Sequence, residues 1–157
     1  MNSISAIIQA MHGIAATAWI GGIFFAFMAL RPAANRTLEP AQRVQLWQAA
    51  YTHFFPWVWL FIVILLATGY ADLFQRFDGF SASTAYLVAM HLIGLVMVLA
   101  FCYLYFILYR RLTKSLSNGN LAIAADTMKK MRPVMATNLT LGLLITAVGI
   151  AGPYMNY

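Results

Sequence analysis

Four long apolar runs, separated by short charged stretches, account for most of the chain. They extend from Ile7 to Leu30, Phe54 to Leu73, Tyr86 to Tyr109 and Val134 to Tyr154. Each is about 20 residues or longer, the length at which a helix rising 1.5 Å per residue crosses a hydrocarbon core of roughly 30 Å. Barrel strands would be about half as long and would alternate in polarity. The pattern predicts an all-α membrane protein. It is a single four-transmembrane-helix domain over residues 1–157, folded as an up-down bundle with helices over about 6–30, 50–74, 84–110 and 130–154.

Composition points the same way. Hydrophobic residues make up 62% of the 157 residues and charged ones only 9%, too few to coat a soluble surface. The net charge of +6 does not indicate nucleic acid, because the cations are segregated. Arg31, Arg36 and Arg43 lie in the first connection, and Arg110, Arg111, Lys114, Lys129, Lys130 and Arg132 in the third. The second connection holds Arg76 alone, and the termini hold none. Under the positive-inside rule, connections one and three face the cytoplasm and both termini face the periplasm of a bacterial inner (plasma) membrane. The first run lacks a charged leader segment and is too long for a usual signal peptide. The single cysteine, Cys102, excludes a disulfide framework.

The chain also repeats itself. Ala6 to His12 and Ala85 to His91 share the pattern A-x-x-x-A-M-H at an offset of 79. The same offset pairs Phe27 with Phe106 and Arg31 with Arg110. Pro56 and Pro133, and Gly69 and Gly149, follow at nearby offsets. This predicts two parallel helical hairpins related by a pseudo-twofold axis along the membrane normal. His12 and His91 then sit at one depth, on diagonal helices, facing each other across the bundle centre.

An ionisable residue inside a membrane marks function by default. Three readings compete for the pair: interhelical hydrogen bonding, bis-imidazole ligation of haem b, and copper helped by Met11 and Met90. Ala15, Ala16, Trp19, Ile23 and Ala26 fall near the His12 face, and Gly94, Leu95, Val98, Cys102, Tyr105 and Tyr109 near the His91 face. Small residues beside the imidazoles suit a flat macrocycle. Adjacent Met11 and His12 point about 100° apart and cannot easily share one ion. The leading expectation is therefore a small b-type cytochrome. His12 and His91 ligate the iron, Trp19, Ala16 and Gly94 line the slot, and Arg76 pairs with a propionate. Such a protein passes electrons between a quinone or membrane partner and a periplasmic redox partner. His53, with Arg43 or Tyr51, is the candidate quinone contact; otherwise it joins Trp47, Trp57 and Trp59 in an interfacial belt. Asn138 is expected to hydrogen-bond between helices. No nucleophile–base pair, phosphate loop or paired carboxylate is visible, so catalytic residues are unknown and any enzymatic role is that of a membrane oxidoreductase. A homodimer is compatible with the lipid-facing surface.

His12 followed by Trp19-Ile-Gly21-Gly22, then Leu30-Arg31-Pro32, resembles the copper resistance protein D family of small membrane proteins. Thr68-Gly69, and Asn138 with Gly142, are similar to its pattern. The resemblance implies a membrane bundle linked to copper handling, with copper transport or tolerance as the alternative function. It also implies kinship with the membrane protoporphyrinogen oxidase, which carries a helix-one histidine for haem b. The chain departs from that oxidase in having Arg31-Pro32-Ala-Ala after helix one and no matching helix-three lysine.

Overall fold

A computed structural model describes residues 3–76 and 85–154, with side-chain detail omitted for a few residues beside the connection between them. The described residues are helical nearly throughout. α1 (Ser3–Phe25) passes through a π-helical segment, Ala26–Leu30, into α2 (Arg31–Thr37); α3 is Pro40–Arg76. α4 (Ala85–Tyr103) passes through a second π-helical segment, Leu104–Tyr109, into α5 (Arg110–Ser117); α6 is Leu121–Ala151. Four stretches are long and apolar enough to cross a membrane: Ser3–Thr37, Pro40–Phe74, Tyr86–Ser117 and Leu121–Ala151. This is the four-helix membrane bundle that the apolar runs predict.

The helices overrun those runs at the basic end. A 35-residue span is roughly 52 Å long, well beyond the hydrocarbon core. Charges therefore mark where the helix leaves the apolar layer, not where it stops. What stops it is turn chemistry. Between the first two spans Leu38 is extended, at φ −121° and ψ 142°, and Pro40 opens α3, where its missing N–H costs nothing. Between the last two spans Gly119 adopts φ 71°. Asn120 N–H donates to the Ser115 carbonyl and Gly119 N–H to the Leu116 carbonyl, the paired bonds of a Schellman turn. The Asn120 side chain then caps α6 by accepting from Ile123 N–H at 3.1 Å.

The internal repeat has a structural counterpart. Shifted by the sequence offset, the first π-helical segment falls inside the second. In both halves the following arginine lies over a phenylalanine: Arg31 over Phe27 at 5.8 Å and Arg110 over Phe106 at 5.2 Å. A π-helical turn inserts one residue and turns the rest of the helix relative to its first half. Two such turns at matching positions keep the two hairpins alike.

Packing is tightest within each hairpin, α1 on α3 and α4 on α6, and α1 also packs on α6. The core is aromatic toward the basic end. Phe55, 2% exposed, stacks on Tyr51 at 5.0 Å and meets Phe101, Tyr105 and Tyr109 edge-on. Trp19 and Trp59 both reach Phe101. Ile14 and Leu99, more than two-thirds exposed, face outward, where lipid replaces water as the solvent.

Candidate functional site

The site is built where α1 crosses the far end of α3. His12 Nδ1 lies 2.8 Å from Thr68 Oγ1. The Thr68 hydroxyl already donates to the Ile64 carbonyl at 2.6 Å. Its one proton is therefore committed, and it must accept from His12 Nδ1–H. In that arrangement Nδ1 carries the proton and Nε2 presents a lone pair. An imidazole oriented in this way by a hydrogen bond on its other nitrogen is the usual form of a metal-ligating histidine. Gly69 lies beside the imidazole, where a Cβ would meet His12 Cε1 at 3.5 Å, an ordinary van der Waals contact. One turn further on, Gln9 Nε2 donates to Asp72 Oδ2 at 2.7 Å. Gln9, His12, Thr68 and Asp72 thus join the two helices through polar contacts.

His91 is placed differently. Its Nε2 lies 3.4 Å from the Tyr70 hydroxyl, and the two rings meet edge-on at 5.3 Å. Thr68 and Tyr70, two residues apart on α3, project about 200° apart. The two imidazoles therefore dock on different sides of α3, in place of the direct face-to-face arrangement expected across the bundle centre. In the second hairpin it is Met90, not His91, that lies over the corresponding glycine. A Cβ at Gly149 would stand 3.0 Å from Met90 Cε and 3.4 Å from its sulfur. The two hairpins set a nitrogen donor and a sulfur donor on matching glycines.

The other expected site residues scatter. Trp19 is buried in the core, Ala16 packs against it, and Gly94 faces Ile145. The side chain of Arg76, the last residue of α3, lies outside the described residues, as does most of the second connection. His53 is exposed, Arg43 is bonded to Asn35, and Tyr51 is buried against Trp47 and Phe55. Tyr105 and Tyr109 belong to the Phe55 cluster, and Tyr109 OH meets Thr52 Oγ1 at 2.8 Å. Sequence reasoning assigned no role to Thr68 beyond a family pattern. The i, i+3 pair Gln9 and His12 facing the i, i+4 pair Thr68 and Asp72 was the available signal.

A cavity of about 10 Å³ lies at the bundle centre, lined by residues that include Trp19, Phe101, Met135 and Asn138. It has room for a water-sized guest or a single ion, not for a macrocycle. A groove of about 510 Å³ on α1, along Gln9, Gly13 and Thr17, opens outward to the lipid. Among the described residues no three His, Cys, Asp or Glu side chains come together as a metal-binding group. His12 on Thr68 and His91 on Tyr70, on different sides of α3, are not placed to hold one haem iron between them.

Fold and site together define a multi-pass, all-α membrane protein with an oriented histidine at the end away from all its arginines and lysines but Arg76. The family model described as copper resistance protein D matches residues 48–152, well over half of the chain, and the chain belongs to that family. The match takes in Thr68, His91 and Asn138 but begins after His12 and Trp19. No curated protein and no solved structure matches the chain.

Proposed function

We propose that this protein is a copper-handling component of the bacterial inner membrane, taking copper at its periplasmic end and conferring transport or tolerance. Family membership carries this reading. The His12 geometry supports it, since a neutral imidazole with an open Nε2 is a ligand for copper ions, and thioethers select the monovalent form. Copper is here the cargo, and the protein's part is to bind, desolvate and pass it. The periplasmic placement rests on the segregation of the cations.

The test is purification in mild detergent from cells with ample haem, then absorption spectra before and after dithionite, with metal analysis. Proteoliposomes enclosing a copper-sensitive dye follow. The expected result is a protein without haem bands that binds monovalent copper and admits it, with both properties reduced in His12→Ala. Sharp b-type bands that shift on reduction would overturn this reading in favour of a cytochrome. A protein that neither binds nor admits copper would refute it outright.

A further inference from the structure

Asn138, 2% exposed, donates through Nδ2 to the Met97 carbonyl at 3.3 Å. Its Oδ1 is buried and has no hydrogen-bond partner. Such orphaned oxygens are rare, because burial strips away water and nothing replaces it. The residue borders the central cavity of about 10 Å³, together with Met135 and Trp19. At this ion-sized space the Met135 thioether is a soft donor for a monovalent cation, and the unpartnered Asn138 carbonyl adds a dipole with its negative end free.

This space is also the midpoint of a row. Met128, Met131, Met135 and Asn138 follow one another on α6 at helical spacing, and Met131 and Met135 are buried. Beyond Asn138 the row continues with thioethers from α4. Met97 lies over Gly142, its Cε 3.3 Å from where a Cβ would stand, and Met90 lies over Gly149. From position 128 to position 149 is about 31 Å along the helix, starting among Lys129, Lys130 and Arg132 at the basic end and running into the apolar layer from Val134. The first four steps are roughly 4.5–6 Å and the last is roughly 10 Å. Buried methionines alone are ordinary core filler. The orphaned oxygen and the cavity at the row's centre are not explained by filling.

We propose that Asn138 and Met135 form a buried site for monovalent copper in the basic half of the bundle, the central station of a thioether row along α6. The carbonyl oxygen and the sulfur replace part of the hydration shell that a cation loses on entering the bundle. Trp19 lines the same space. This inference rests on the copper reading above and adds the route.

The test uses the full-length protein in detergent, titrated with ascorbate-reduced copper against a chelating dye, with X-ray absorption at the copper edge. Met135→Leu keeps the volume and removes the sulfur. Asn138→Leu removes the carbonyl, and Met28→Leu alters an exposed methionine as the control. The first two should each weaken the central site at least about tenfold and diminish the sulfur signal, while melting as cooperatively as wild type; the control should do neither. Unchanged affinity in both well-folded variants would overturn the site. If binding is then lost only in His12→Ala, the copper reading stands without the row. If wild type binds at Asn138 and Met135 but proteoliposomes take up no copper, the site stands and transport fails. If wild type binds no copper, both fall.

Discussion

Replacing Thr68 by valine removes one hydroxyl and leaves the shape of the side chain nearly unchanged. The hydroxyl accepts from His12 Nδ1–H while donating to the Ile64 carbonyl. Without it the Nδ1–H donor is left unsatisfied in a half-buried position, at a stability cost of about 1–3 kcal/mol. The ring is also free to take the other tautomer or rotate, and Nε2 is then no longer held as the acceptor. Loss of such an orienting contact typically lowers metal affinity about 10–100-fold, or roughly 1.4–2.8 kcal/mol. Two measurements check this: copper(I) titration against a competing dye, and ¹⁵N chemical shifts of labelled histidine, which separate the tautomers. Thr68→Ser restores the hydroxyl and should recover both properties. If Thr68→Val keeps the Nδ1–H tautomer and binds copper within about twofold of wild type, the orientation argument fails.

Three further outcomes follow from packing and charge. Gly142→Ala places a Cβ 2.8 Å from Ile20 Cγ1 and 3.3 Å from Met97 Cε. The overpacking costs about 1–3 kcal/mol, offset in part by about 1 kcal/mol of helix propensity, so the detergent melting temperature should fall; a rise would show that α1 and α6 can separate freely. Phe55→Ala empties the centre of the aromatic cluster and should cost roughly 3 kcal/mol, read as reduced resistance to denaturing detergent, and an unchanged midpoint would mean lipid or detergent fills the gap. Alkaline phosphatase fused after the last helix should be active and green fluorescent protein there dark; the reverse would invert the assigned topology.

Local features of the chain were enough to define the spans, the basic end and the repeat. Apolar length is measured residue by residue against a fixed membrane thickness. Charge segregation needs no knowledge of packing. The offset joining His12 to His91 and Arg31 to Arg110 foretold two alike hairpins, and the matching π-helical segments and Arg-over-Phe pairs give that offset a structural form. Helix ends were less legible at the basic end, because charged helical turns continue beyond the apolar layer until a capping residue such as Asn120 or a proline such as Pro40 intervenes.

The rotational phase of each helix was decided only in three dimensions. In a soluble bundle the apolar stripe shows which face is buried. In a membrane both the lipid side and the core side are apolar, so composition cannot distinguish them. For that reason the sequence placed His12 opposite His91, whereas packing set His12 on Gly69, Met90 on Gly149, and His91 against Tyr70. The same uncertainty of phase concealed the Thr68 hydroxyl that orients His12 and the unpartnered oxygen of Asn138. Residue types gave a list of candidate ligands, and the registry of one helix against another determined which of them share a site.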